Sequence, residues 1–301
     1  MNVLVTGGDG FVGRHLCTEL IERDHDVTSL SRNPDPSVLP EDVETATGDV
    51  TDGEGITHAF EGIDAVVNLV ALSPLFTPSG GDEMHDRIHL GGTENVVAAA
   101  EAHDVDRIVQ MSALGADPHG PTHYIRAKGK AEEVVRESDL QSVIVRPSVI
   151  FGDGGEFVSF TKRLKKLFAP GVPVYPLPGG GKKTRFQPIW VGDLAPMLAS
   201  TVEDDDRAGE TYELGGPEIL TLREVTEAVY ESEGRSIKIV SLPMGLAGVG
   251  LKTLSVVPGF PMGGDQYRSL QFDNTTDDND VGAFDVDPDE LTSLREYLGS
   301  A

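Results

Sequence analysis

Residues 5–13 read VTGGDGFVG, four glycines in nine residues, directly after the apolar start of the run NVLVTG (2–7). The segment that follows, FVGRHLCTELIERD (11–24), places Val12, Leu16, Leu20 and Ile21 at helical spacing. Gly7, Gly10 and Gly13 therefore occupy a strand-to-helix turn in a G-x-x-G-x-x-G pattern. A helix N-terminus presents free N–H groups and the positive end of a dipole, and an anion reaches them closely where no Cβ intervenes. The turn predicts a pyrophosphate cradle made of Gly7, Gly10, Phe11, Val12 and Gly13. Asp9 has the wrong charge for that role. It is expected to turn away and cap the helix, with Arg14 offsetting its charge.

Outward from this turn, strands and helices alternate. DVTSLS (26–31), VETATGD (43–49), AVVNLVA (65–71), RIVQMSA (107–113) and SVIVRPS (142–148) read as strands, and ENVVAAAEAHD (94–104) and YIRAKGKAEEVVRES (124–138) as helices. This rhythm predicts an α/β fold, a Rossmann-like doubly wound parallel sheet, with a smaller C-terminal substrate domain. After Phe151 the rhythm breaks, and Gly and Pro crowd residues 170–181. A helix from Trp190 to Val202, a strand at 210–216, a helix at 221–234 capped by Thr221 and Glu224, and a strand in SIKIVSLP (236–243) are expected next. The dinucleotide-binding domain is assigned to 1–150 plus about 186–215, and the substrate or docking domain to 151–185 and 216–301.

The second strand ends in SLSRN. An acid at that place would bind the 2′-hydroxyl of an NAD ribose, but Asp26 lies at the other end of the strand. Ser31 and Arg32 stand where a 2′-phosphate would lie, and a guanidinium can fork onto phosphate. NADP is expected in preference to NAD.

HYIRAKGKAE places Tyr124 and Lys128 at i and i+4, on one helix face. A free phenol titrates near 10, so acid–base work near neutrality needs a neighbouring cation. Lys128 supplies one and an oxidised nicotinamide a second. Ser112 ends the preceding strand and could bond a substrate carbonyl beside the phenol.

With these residues in view the chain resembles the short-chain dehydrogenase/reductase superfamily, in its extended and atypical branch. TGGDGFVG resembles the family's cofactor loop. GDVTD (48–52) resembles the segment whose acid touches adenine, here Asp49 beside Val50. VNLVA (67–71) resembles the strand end that lines the cofactor, here Leu69, Val70 and Ala71. RPSVIFG (146–152) resembles the segment passing the nicotinamide, here at Pro147, and QPIWVGDLA (187–195) resembles a later substrate-domain signature. More narrowly, MSALGADPHGPTHYIRAKGKAEEVV, VRPSVIFG and DQYRSLQFDN (265–274) resemble the group related to the NADPH-binding accessory subunit of mitochondrial complex I. The resemblance implies a catalytic set of Ser112, Tyr124 and Lys128, with Tyr124 and Lys128 also contacting the cofactor. One departure stands out. HLGGT puts His89 where sugar-nucleotide epimerases usually carry an Asn, which argues against sugar-nucleotide epimerase chemistry.

From Phe157 to Gly192 there is no Asp or Glu, yet Lys162, Arg163, Lys165, Lys166, Lys182, Lys183 and Arg185 all fall there. In a chain with 50 acids, 24 bases and a net charge of −26 this is a sharp change of composition. The segment 162–185 is either a contact for an anionic substrate group, a respiratory partner or a membrane surface, or a basic face paired within the fold. In HDRIH, His85 and His89 have metal-compatible spacing, but with no third ligand in view no metal is assigned.

The acidic excess argues against nucleic-acid binding and suits a high-salt cytoplasm, where self-repulsion is screened. The single cysteine, Cys17, lies in the apolar phase of the first helix and reads as core. The longest apolar stretch, Met244 to Val257, has 14 residues, short of the roughly 20 needed to span a bilayer, and reads as a packed helix. A cytoplasmic protein, peripheral to the inner face of the membrane if it docks there, is expected. Two functions remain open: an NADP(H)-dependent oxidoreductase of a carbonyl or hydroxyl substrate with an anionic group, or a non-catalytic NADPH-binding subunit of a respiratory or quinone-related assembly.

Overall fold

A computed structural model describes residues 1–169, 171, 174–242, 264–269 and 271–300. The helix expected at Met244–Val257 lies outside the described residues.

The chain divides into two compact units. The first comprises Met1–Leu72, Pro78–Pro147 and Val191–Leu214. Its centre is a seven-stranded sheet in the order β11-β6-β5-β4-β1-β2-β3, from β1 (Asn2–Thr6), β2 (Asp26–Ser31), β3 (Glu44–Thr47), β4 (Ala65–Asn68), β5 (Arg107–Met111), β6 (Gln141–Pro147) and β11 (Thr211–Leu214). Every pairing is parallel. Parallel strands need crossovers, and α1 (Phe11–Glu22), α2 (Gly53–Ile56), α3 (Gly91–Ala102) and α4 (His123–Glu137) lie in these connections. The strand order turns outward in both directions from β1 and β4, and the crevice outside the carboxyl ends of such strands is where doubly wound sheets bind ligands.

Central strands bury both faces, so β4 and β5 are buried along their whole length, while the edge strand β3 (ETAT) is mostly solvent-facing. One core cluster joins Leu4, Leu30, Val66, Ile108 and Ile144 of the sheet to Val96 and Ala100 of α3. On α1, Val12, Leu16, Cys17 and Leu20 are buried. Burial first, then Asp9, pushes the Cys17 thiol up to about 12, so it is a packing group and not a nucleophile.

Several boundaries differ from the sequence reading. The run 65–71 is strand only to Asn68, because after Leu69 N–H bonds the Thr6 carbonyl the chain leaves the ladder and 69–71 form a lip. The helix expected from 94 begins at Gly91 and is preceded by a π-helical turn, Asp86–Leu90, that the apolar spacing does not register.

The second unit comprises Ser73–Thr77, Ser148–Trp190 and Gly215–Ala301. Among the described residues it holds three two-stranded ladders: β7 (Ile150–Phe151) with β10 (Ile189–Trp190), β8 (Val174–Pro178) with β13 (Lys238–Leu242), and β9 (Arg185–Phe186) with β12 (Leu220–Thr221). The helix expected from Trp190 is α6 (Val191–Glu203), and it belongs to the first unit. In the second unit, α5 (Glu156–Phe168) and α7 (Leu222–Glu231) join the ladders around a core of Phe151, Phe157, Phe160, Tyr175, Leu177, Phe186 and Val225. The Thr221–Glu224 capping box is formed in full: Glu224 N–H donates to Thr221 Oγ1 at 3.2 Å, and Thr221 N–H to Glu224 Oε2 at 2.7 Å. The sequence reading did not register α5, although Phe157, Phe160, Leu164 and Leu167 stand at helical spacing in it.

Candidate active site

The glycine turn joins β1 to α1. Gly7 has φ +74°, a left-handed conformation that favours glycine, and its N–H donates to Leu30 O at 2.7 Å, pinning the turn to the end of β2. Gly10 is the N-cap of α1 and offers no capping side chain, and the first turn carries no acid. The opening N–H groups of α1 are therefore left for a ligand. A Cβ on Gly13 would stand 2.2 Å from Gly7 O and 2.6 Å from Gly8 Cα, so Gly13 is there to let the helix pack on its own turn. An uncapped helix end behind a glycine-rich turn fits a pyrophosphate.

Asp9 does not cap the helix as expected. Its Oδ2 accepts from Ser31 Oγ at 2.9 Å and from Asp35 N–H at 3.3 Å. The cap position falls to Gly10, and the acid turns instead to the end of β2, where a hydroxyl and a backbone donor meet it. Ser31 closes β2, and Arg32 follows it, exposed. Asp49 lies just past β3. Burial opposes its ionisation, but hydrogen bonds from Thr51 N–H and hydroxyl, and then the charges of Arg32 and Arg87, hold its carboxyl below the usual range. Val50 beside it is core, as is Leu69. Val70 sits against Gly7, and Ala71 is exposed.

Ser112 N–H donates to Val145 O at 2.7 Å, and Leu114 N–H to Pro147 O at 3.1 Å, which ties the chain past β5 to the end of β6. The Ser112 side chain is buried and its hydroxyl has no hydrogen-bond partner among the described residues. Thr122 caps α4 by accepting from Ile125 N–H. The helix then presents Tyr124, half-buried, and Lys128, 1% exposed. Lys128 Nζ donates to Met111 O at 2.8 Å, the carbonyl one residue before Ser112. Burial lowers the Lys128 ammonium to about 8, against the opposing pull of Glu132. Burial also pushes the Tyr124 phenol above its ordinary value, so the lysine alone does not prepare it for proton transfer at neutral pH.

Beneath these groups runs a polar line that the sequence reading missed. Thr6 Oγ1 donates to Asn68 Oδ1 (2.7 Å), and Asn68 Nδ2 donates to Gln110 Oε1 (2.8 Å) and Thr93 Oγ1 (3.1 Å). Gln110 Nε2 in turn donates to Met111 O (3.2 Å), and Thr93 Oγ1 to His89 O (2.7 Å). Every member is buried, so the line fixes both the carbonyl that holds Lys128 and the turn that carries His89. Polar residues interrupting the buried strands β1, β4 and β5 at one level were its signal in the sequence.

The paired histidines do not converge on a point. Their rings stack, and among the described residues no group of three or more His, Cys, Asp or Glu could hold a metal. In the basic segment, Lys162 pairs with Glu233, Arg185 with Asp273, and Arg163 lies 4.8 Å over the Phe76 ring. No helix among the described residues is long and apolar enough to cross a membrane.

The fold and this arrangement define a Rossmann-type nucleotide-binding protein with a serine just past β5 and a tyrosine and a lysine on α4. The family model described as NAD(P)H-binding matches residues 7–169, more than half of the chain, and the protein belongs to this family, in its extended short-chain dehydrogenase/reductase and epimerase-like branch. The chain is similar to NADH dehydrogenase [ubiquinone] 1 alpha subcomplex subunit 9, mitochondrial, of Arabidopsis thaliana: 28% identity, over 94% of this chain and 73% of that protein. It is similar at 30% to the 2-alkyl-3-oxoalkanoate reductase of Stenotrophomonas maltophilia, over 78% of this chain and 76% of that protein. Its fold matches the UDP-glucose 4-epimerase of Thermus thermophilus in complex with NAD, with a TM-score of 0.74, 22% identity, and 99% and 97% of the two chains covered.

Proposed function

We propose that the protein is an NADP(H)-dependent oxidoreductase acting on a carbonyl or hydroxyl substrate. The observation that carries this reading is the Ser112 hydroxyl, buried without a partner among the described residues, one residue from the carbonyl that grips Lys128. A bound nicotinamide supplies hydride exchange at its C4. The residues of the chain then do the rest. The Gly7–Gly13 turn and the N-terminus of α1 hold pyrophosphate, Asp49 meets adenine, and Arg32 meets the 2′-phosphate. Ser112 donates to the carbonyl oxygen and orients it. Tyr124 gives that oxygen a proton in reduction and removes it in oxidation. Lys128, held by Met111 O, bonds the ribose and adds its positive charge to that of an oxidised nicotinamide, which together draw the phenol down from its raised value.

The similarity to a 2-alkyl-3-oxoalkanoate reductase puts 3-oxo acids and esters first among the substrates to screen. The test is NADPH consumption with a carbonyl panel, using Tyr124→Phe as control. The expected outcome is loss of turnover in Tyr124→Phe with unchanged NADPH affinity. Equal turnover in the two proteins refutes the reading.

A second reading, an NADPH-holding subunit of a respiratory assembly, draws on the similarity to the alpha subcomplex subunit over 94% of the chain. Lys165, Lys166, Lys182 and Lys183 would then contact an acidic partner. NADPH that copurifies with membrane subunits and is never oxidised by any carbonyl favours this reading over the first.

A further inference from the structure

The function proposed above uses neither His85 nor His89. The π-helical turn Asp86–Leu90 places both inside the first unit, His85 fully buried and His89 2% exposed. Turns of this kind are rare and concentrate at functional sites. The two rings stack at 5.4 Å with 17° between their planes. Each then meets the Tyr124 ring edge-to-face, at 5.6 Å and 77° for His85 and 5.3 Å and 87° for His89. The phenol ring is thus fixed against two imidazoles.

The tautomer of His89 follows from its contacts. Leu72 N–H donates to His89 Nε2 at 3.4 Å, so this nitrogen is the acceptor and the ring proton resides on Nδ1. Burial, and then the charges of Lys128 and His85, hold His89 well below the usual histidine range, which keeps it neutral. Nδ1 is buried and meets no hydrogen-bond acceptor among the described residues. A buried donor is costly unless something accepts from it. Ser112 Oγ is a second such group in the same unit. The Thr93 bond to the His89 carbonyl, anchored through Asn68, keeps the turn in place.

We propose that His89 is a positioning residue for Tyr124, and that its Nδ1–H supplies a donor for a second oxygen of the substrate, next to the carbonyl served by Ser112 and Tyr124. The substrate class is then a carbonyl compound with a neighbouring oxygen acceptor, such as a 3-oxo ester, in preference to a simple ketone. This inference rests on the oxidoreductase reading.

Three measurements on the full chain test it. In ¹⁵N-histidine NMR of the wild type, His89 is expected as the neutral Nδ1–H tautomer at pH 7. Titration of NADPH into His89→Phe, which keeps a flat ring but has no donor, and into His89→Asn, which has a donor but no ring, is expected to give affinities within about twofold of wild type, since the pyrophosphate turn is untouched. The ratio of kcat/KM for ethyl acetoacetate over 2-pentanone is expected to fall roughly tenfold in His89→Phe, the loss of one hydrogen bond to a substrate oxygen, and to recover in part in His89→Asn. An Nε2–H tautomer, or an unchanged ratio in His89→Phe, overturns the role given to His89. No turnover of any carbonyl by the wild type overturns the oxidoreductase reading itself, a separate result.

Discussion

The carboxylate of Asp9, in the glycine turn, accepts a hydrogen bond from Ser31 Oγ at the end of β2, 2.9 Å away. The two residues are 22 positions apart in sequence, and their contact sets a negative charge beside the place assigned to the coenzyme 2′-phosphate. On the proposed reading Arg32 would attract that phosphate and Asp9 would repel it. Asp9→Asn keeps a side-chain acceptor for Ser31 and removes the charge. It is expected to tighten NADPH roughly fivefold and leave NADH unchanged, whereas Arg32→Ala weakens NADPH roughly tenfold, a change of about 1.4 kcal/mol. Calorimetric titration of both coenzymes into the three proteins checks this. If NADH responds to Asp9→Asn as NADPH does, the placement is wrong.

Gly13 has a steric role that spacing alone does not convey. A Cβ there collides with Gly7 O at 2.2 Å, a backbone atom that cannot rotate away. Gly13→Ala is expected to displace the turn, lower the melting temperature and abolish coenzyme binding. Gly209→Ala provides the contrast. Its Cβ would meet nothing within 4 Å, but φ of +86° makes the substitution strained, at a cost of about 1 kcal/mol. It should lose stability and keep coenzyme affinity.

Lys128 is buried at a cost to stability. Its ammonium is lowered from 10.5 to about 8, burial being the main cause. The unfolded chain therefore binds more protons than the folded one between about pH 8 and 10.5, and this residue's contribution to stability rises with pH across that window. Below pH 8 its burial penalty is present in full, on the order of 3 kcal/mol. Lys128→Met removes the penalty, and Met111 O keeps the Gln110 amide as its donor. The variant is expected to melt at least about 2 °C higher at pH 7 while losing turnover. A lower melting temperature would show that the Lys128–Met111 hydrogen bond outweighs the desolvation.

Fifty acids against 24 bases leave a net charge of −26 on 301 residues, and this self-repulsion weakens as salt screens it. Thermal unfolding followed from 0.1 to 3 M KCl is expected to shift upward monotonically. A melting temperature independent of KCl would remove the inference of a high-salt environment.

Much of the fold was legible along the chain because its signals are local. The buried strands β1, β4 and β5 are short apolar runs, α1 and α4 carry their apolar stripes at helical spacing, and the Thr221–Glu224 box spans one turn. Gly7, Gly10 and Gly13, and the Tyr124–Lys128 pair, were legible for the same reason: a tight turn needs glycine, and i, i+4 on a helix is a fixed neighbour relation.

What the sequence left open concerns partners far apart along the chain. Asp9 was expected at a helix cap, and only the packing of the turn against β2 turns it to Ser31. The line from Thr6 through Asn68 and Gln110 to the carbonyl that holds Lys128 joins three strands and a helix; polar residues in buried strands hint at it, but only the strand register brings them level. His85 and His89 have metal-compatible spacing but no third ligand in view, and their spacing alone does not say what their rings meet. The π-helical turn stacks the two rings on each other and sets both edge-to-face with Tyr124, because backbone register and tertiary packing decide where a side chain points. Local propensity thus set the elements and the cradle, whereas charge pairing, buried hydrogen bonds and ring contacts were decided only when parallel strands distant in sequence brought their carboxyl ends to one edge of the sheet.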